Sequence, residues 1–150
     1  EYLDVMKEKG LTLVPTLAIY KILSEGVGVL SDFMVERSLK VTNQQRDTFG
    51  RARAKGVRIA LGTDAGSPLF GPHPVAFKEM HMMNLYGMSK EEVVTSATLT
   101  AAEVLGMEHE IGSVEPGKLA DLLVLETNPY EDLDAFTKHL VSVYKEGMLV

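Results

Sequence analysis

The stretch RIALGTDAGS, from Arg58 to Ser67, decides how the fold of this chain is interpreted. It continues an apolar run, Val57 to Gly62, of the kind that forms buried strands in parallel sheets. It then places one carboxylate, Asp64, between two glycines that let the backbone bend. In α/β sheets and barrels, functional groups gather at the carboxyl ends of the strands. Asp64 is therefore a candidate metal ligand or general base, and a turn-forming aspartate is the alternative.

Composition narrows the classes of protein to which the chain can belong. It has 150 residues, 45% of them apolar, which is enough for a domain with a sizeable core. The formal net charge is −6 and no run of Lys or Arg stands out, which argues against a nucleic-acid or anionic-membrane partner. The absence of cysteine excludes disulfides, thiolate catalysis and sulfur-ligated metals. No apolar run is long enough to span a bilayer and no signal peptide is visible, so we expect a cytosolic chain.

Helix and strand patterns alternate over the first part of the chain. The predicted elements are a helix over residues 2–9, a strand over Leu11–Leu17, a helix over 34–55, a strand over Val57–Gly62 and a helix from Pro74 to about Tyr86. The pattern over 18–33 is ambiguous, and its glycines suggest a loop between short turns. Pro15 cannot donate to a strand ladder, so it should lie at the end of the first strand. The order of elements predicts an α/β fold with a parallel sheet.

The second part of the chain changes character. SKEE (Ser89–Glu92) and TAAE (Thr100–Glu103) each have the pattern of a capping box, which predicts two helices with a break near Thr98. A strand is then predicted over Asp121–Glu126, followed by a hairpin in LVSVYKEGMLV with a Glu-Gly turn. The last forty or so residues therefore favour a separate small β unit.

Several of these segments resemble the amidohydrolase superfamily. GVRIALGTDAG resembles its last barrel strand and the following loop, KEKGLTLVPTL its seventh strand, and GSVEPGKLADLLVL the entry into its small sandwich. The chain is similar, more narrowly, to the imidazolonepropionase-like branch, which includes Xaa-Pro and Xaa-Arg dipeptidases. The resemblance covers essentially the whole chain. It implies the C-terminal part of a TIM-type (β/α)8 barrel over residues 1–108, with the last two strands and helices, and strands of a small β-sandwich over residues 109–150.

The same resemblance implies a chemistry. Members of this superfamily hydrolyse amide or ester-like bonds with one or two divalent metal ions, and zinc is expected here. The aspartate after strand eight, which corresponds to Asp64, ligates metal and takes the proton of the attacking water. His73, in the next loop, and Tyr20, after strand seven, are expected near the substrate, which would be a small amide, a cyclic imidazolone or a dipeptide. A loop or helix-capping role is the alternative for His73.

The chain lacks the other ligands that the resemblance implies. The family takes a His-x-His pair, a Lys or Glu, and two further histidines from earlier barrel strands. The four histidines here all follow Asp64. We therefore expect the C-terminal third of a longer enzyme, and an isolated chain that holds no metal and does not catalyse hydrolysis. The alternative is a piece that acts only by association, through exposed strand edges, with a complementary half or as a homo-oligomer, or that binds a small ligand.

Overall fold

The computed structural model describes residues 1–26, 29–66 and 75–150. Its helices are α1 (Tyr2–Glu8), α2 (Leu17–Ser24), α3 (Asp32–Ala54), α4 (Val75–Leu85), α5 (Lys90–Ala97), α6 (Leu99–Leu105) and α7 (Ala135–Lys138). Its strands are β1 (Thr12–Leu13), β2 (Arg58–Ile59), β3 (Leu122–Leu125), β4 (Leu140–Lys145) and β5 (Met148–Leu149). Within the described ranges, no helix combines the length and the apolar character needed to cross a membrane.

The chain divides into two compact units, a first unit of Glu1–Gly87 and a second unit of Met88–Val150. The first unit carries the parallel strand pair and the second the antiparallel sheet, so the chain is α/β. The predicted division after residue 108 concerns the barrel and sandwich of a longer fold, and it stays a prediction.

The first unit contains the predicted parallel strands, but both are short. Thr12 pairs with Arg58 and Leu13 with Ile59, and Ala60 N–H donates to the Leu13 carbonyl at 3.0 Å. The strand at 57–62 was expected to be continuously buried, and this is wrong for Arg58, which is exposed. Its guanidinium Nε donates to Thr12 Oγ1 at 2.7 Å across the pair, which explains how a charged side chain fits there.

The core of the first unit joins helix and strand faces. Leu3 of α1, Ala52 of α3 and Val57 form a buried cluster, against which Met6 and Leu13 pack. Leu3 and Met6 therefore lie on the same, inward-facing side of α1. Burial of these side chains holds the two strands against the helices that flank them.

The sequence pattern over 18–33 was ambiguous, and the structure contains helical residues there. Residues 17–24 form α2, and α3 begins at Asp32, two residues before the predicted start. Ser31 is the N-cap of α3, and its hydroxyl accepts from Met34 N–H at 3.4 Å. The N-terminus of α2 has no local cap of this kind, because its partner comes from a distant part of the chain.

The second unit confirms one predicted capping box and contradicts the other. Ser89 Oγ accepts from Glu92 N–H at 3.1 Å, and Glu92 Oε2 accepts from Ser89 N–H at 2.7 Å. The box predicted at Thr100 is wrong, since α6 begins at Leu99 and Thr100 lies inside its first turn. The helix break falls at Thr98 as predicted, and the Thr98 hydroxyl donates back to the Val94 carbonyl at 2.8 Å.

The β part of the second unit is a three-stranded antiparallel sheet in the order β3-β4-β5. The predicted turn at Glu146 and Gly147 is confirmed, with positive φ values of 53° and 80°. Asp121 stabilises this turn, because its carboxylate accepts from Glu146 N–H at 2.8 Å and pairs with Lys145 at 2.6 Å. The Lys145 ammonium also holds the pKa of Asp121 below its usual range.

Candidate active site

The carboxyl ends of β1 and β2 lie at the same edge, because the two strands are parallel. Thr16 follows β1 and Asp64 follows β2, and both have a left-handed backbone, with φ of 48° and 51°. Residues other than glycine adopt this conformation at a cost of about 1–3 kcal/mol, and they persist where the surroundings hold them. Such residues cluster at functional sites, so this edge is the candidate site.

Asp64 itself is exposed at the end of a short turn. The Thr63 hydroxyl accepts from Ala65 N–H at 3.3 Å, which closes the turn around the carboxylate. The Thr63 hydroxyl thus contacts the backbone of this segment. The carboxylate is presented to solvent, where a metal ion or a substrate can reach it.

The two loops that follow β1 and β2 touch at Val14 and Gly62. A Cβ built on Gly62 would lie 2.4 Å from Val14 Cγ1, a distance that real side chains do not tolerate. A Cβ on Gly66, by contrast, would meet open space. Gly62 is therefore a position of close approach that sets the path of the chain into Asp64.

We predict that Gly62→Ala lowers the free energy of unfolding by about 1–3 kcal/mol, because Val14 must move to admit the methyl group. Urea denaturation measures the effect. Gly66→Ala is the matched control and should cost much less. The double variant Gly62→Ala with Val14→Ala should recover most of the loss. Equal effects of the two single variants would contradict the steric explanation.

Glu79 contributes a buried carboxylate that the sequence interpretation missed. Its side chain is fully buried, and its Oε1 and Oε2 accept from Leu17 N–H at 2.9 Å and from Ala18 N–H at 2.6 Å. Burial raises the pKa of Glu79, and the two backbone donors oppose that rise. The signal was available, since Val75, Glu79 and Met83 recur every four residues on one buried face of α4, and only one of them is acidic.

A second side chain holds the same segment from α3. Gln45 Nε2 donates to the carbonyls of Pro15 at 3.2 Å and Thr16 at 3.4 Å. The chain that leaves β1 is thus held through its carbonyls by α3 and through its N–H groups by α4. This explains how Thr16 keeps its unfavourable conformation.

The other predicted site residues fare differently. Tyr20 lies in the first turn of α2, directly after the held segment, and its side chain is 36% exposed. His73 lies outside the described residues. In the described ranges, no group of three or more His, Asp or Glu side chains is arranged to hold a metal ion. Asp64 has the right donor chemistry for a divalent ion, but one carboxylate supplies only part of the set of about four ligands that zinc takes.

Comparison with known proteins gives consistent matches over the chain. The sequence model described as Amidohydrolase family matches residues 1–150. The ochratoxinase of Aspergillus niger is 30% identical over 154 residues, covering 99% of this chain and 31% of that protein. The imidazolonepropionase of Clostridium tetani is 33% identical over 136 residues, covering 84% of this chain and 32% of that protein.

Solved structures agree with the sequence matches. A crystal structure of a Xaa-Pro dipeptidase with bound methionine in the active site superposes with a TM-score of 0.86 at 35% identity. The superposition covers 99% of this chain and 36% of the dipeptidase chain. The chain thus spans about a third of the length of each of these three proteins.

Proposed function

The chain belongs to the amidohydrolase family, and we propose that it supplies the C-terminal part of a metal-dependent hydrolase that cleaves carbon–nitrogen bonds in small amides or dipeptides. In this proposal β1 and β2 are the last two strands of a TIM-type barrel, and β3 to β5 belong to a small β-sandwich. The observation that carries the proposal is Asp64, an exposed carboxylate held in a left-handed backbone at the carboxyl end of a parallel strand. The names of the relatives, which include a dipeptidase and an imidazolonepropionase, support the substrate class.

Asp64 has two roles in the proposed reaction. One carboxylate oxygen would hold a divalent ion, expected to be zinc, in a site of one or two ions whose remaining ligands come from outside this chain. When bound, such an ion acts as a Lewis acid that polarises the scissile carbonyl and lowers the pKa of water. The Asp64 carboxylate accepts the proton of the water that attacks the carbonyl carbon, and it returns that proton to the leaving nitrogen.

The substrate side of the site is assigned to Tyr20 and His73, which follow β1 and β2 along the chain. Tyr20 presents a hydroxyl from the first turn of α2, which can donate to a substrate carbonyl or carboxylate. His73 follows Asp64 by nine positions in the sequence and lies outside the described residues, and we assign its imidazole to the same groups of the substrate. These assignments rest on the position of each residue after a strand.

The test is a hydrolysis assay on the full-length protein read from its complete coding frame. The panel is Xaa-Pro and Xaa-Arg dipeptides, N-acyl amino acids and a cyclic imidazolone, followed by mass spectrometry of the products. We expect cleavage of at least one class, loss of turnover after chelation and dialysis, and its return on adding zinc. Turnover that survives complete removal of metal, or no cleavage of any class, would contradict the proposal.

A second candidate function is association without catalysis, and one observation favours it. Val141, Met148 and Leu149 of the antiparallel sheet are 65%, 69% and 67% exposed, and apolar side chains at this level of exposure are suited to an interface. In the hydrolase proposal these three side chains are covered by another part of the same protein. In the association function they bind a second copy of the chain. Sedimentation and elemental mass spectrometry of the 150-residue chain separate the two. A metal-free monomer is expected from the main proposal, and a metal-free dimer from the association function.

A further inference from the structure

We propose that Glu79 is a positioning residue for the substrate side of this site, because its buried carboxylate fixes the backbone that carries Thr16 and Tyr20. The inference rests on the proposed hydrolase function and adds to it a residue outside the substrate-contacting set. Glu79 lies on α4 and is separated from its partners by more than sixty positions in the sequence.

The first step of the argument concerns the N-terminus of α2. The first N–H groups of a helix have no partner within the helix, and a side chain at the N-cap usually accepts from one of them. Thr16 is the N-cap of α2, yet it makes no side-chain capping bond, and its φ and ψ of 48° and 49° differ from the extended backbone of an ordinary cap. Thr16 therefore has a left-handed backbone, and its hydroxyl does not cap the N–H groups at the start of α2.

The second step concerns what replaces that cap. One carboxylate oxygen of Glu79 accepts a hydrogen bond from Leu17 N–H and the other accepts one from Ala18 N–H. Glu79 is 0% exposed. The positive end of the helix dipole stabilises a carboxylate. Removing a carboxylate from water nevertheless costs more free energy than removing the threonine hydroxyl of an ordinary N-cap. Glu79 offsets this with two charge-assisted hydrogen bonds, which fix the direction in which α2 leaves the strand.

The third step links this support to the site. Strain at a strand end persists only where the surroundings hold it. Gln45 on α3 binds the Thr16 carbonyl, and Glu79 on α4 fixes the two residues that directly follow Thr16. Tyr20 lies in the same turn of α2 as Leu17 and Ala18, so the position of its side chain depends on the hydrogen bonds of Glu79. Loosening the support should weaken substrate binding, while the proton transfer at Asp64 proceeds as before.

The experiment compares Glu79→Gln with Met83→Ala in the full-length protein. Gln keeps the shape of Glu79 but turns an amide donor toward one of the two N–H groups, so one bond is lost. Met83 is fully buried one turn further along α4 and serves as the control for destabilisation alone. We expect Glu79→Gln to raise KM about tenfold with kcat within about threefold, and Met83→Ala to lower the melting temperature without changing KM.

Gln45→Ala provides an independent variant if Glu79→Gln does not fold. It removes the contacts from α3 to the same backbone, and we expect it to raise KM about threefold. Unchanged KM in Glu79→Gln, or in Gln45→Ala where only that variant folds, would overturn the inference and leave Glu79 with a purely structural role, even though the wild-type protein hydrolyses its substrate. A wild-type protein without hydrolase activity would overturn the proposed function and this inference together.

Discussion

Asp64→Asn is expected to lower the kcat of the full-length protein by about 10²–10⁴-fold while its melting temperature stays within a degree or two of the wild type. The amide has nearly the same shape as the carboxylate but cannot accept the proton of the attacking water. Asparagine tolerates the left-handed backbone at this position, so the turn should survive the substitution. The proton transfer occurs in the transition state, and KM should therefore change little.

Steady-state kinetics, thermal denaturation and elemental mass spectrometry on the same preparation measure this result. Asp47→Asn is the matched control, since Asp47 is also an exposed aspartate but lies within the helix α3 and does not follow a strand. It should leave kcat unchanged. If Asp64→Asn keeps its activity within a few-fold, Asp64 is a turn-forming residue and the assignment of the site is wrong.

The position of Asp64 was predictable from the sequence because every feature it depends on is local. The apolar run ends two residues before Asp64, and the two glycines lie two residues to either side of it. The alternation of helix and strand patterns then predicts that the strand is parallel to its neighbour. The structure confirms the parallel pairing, and a hydrogen bond from Ala65 N–H to the Thr63 hydroxyl joins the residues on either side of Asp64. The strand ends sooner than expected on the β1 side, where Pro15 has no N–H and Thr16 turns left-handed.

Contacts between distant residues were not predictable in the same way. The helix α2 depends on Glu79, more than sixty positions away, and nothing in the residues around Thr16 points to that partner. The sequence at Thr100–Glu103 matches a capping box, yet the helix begins one residue earlier, at Leu99. Here a local pattern predicted the wrong start for a helix. Local patterns thus predicted elements and turns, whereas the support of the site depends on tertiary contacts.

Two glycines of the second unit show how tertiary contacts can require a particular residue at a position of a sequence motif. Gly112 and Gly117, in GSVEPGK, have the same φ of 93°, so both favour glycine for the same backbone reason. Their surroundings differ. A Cβ on Gly112 would lie 2.6 Å from Ala102 Cβ and 3.1 Å from both Leu99 Cα and the Thr98 carbonyl oxygen, whereas a Cβ on Gly117 would meet nothing within 4 Å.

We therefore expect Gly112→Ala to cost about 3 kcal/mol or more of unfolding free energy, and Gly117→Ala only about 1–2 kcal/mol. The second value is the backbone strain alone, which both variants share. The excess in Gly112→Ala comes from overpacking against α6, where two of the three nearest atoms belong to the backbone and cannot move aside. Urea denaturation of the two variants gives the difference directly.

A third variant identifies the source of that excess. Adding Ala102→Gly to Gly112→Ala removes the nearest contact, but the contacts to the Leu99 and Thr98 backbone remain. Against the Ala102→Gly background, the added cost of Gly112→Ala should fall only in part. If Gly112→Ala is no worse than Gly117→Ala, φ alone selects glycine at both positions. An excess confirmed by the double variant would instead mean that Gly112 is glycine because the turn packs on the backbone of α6.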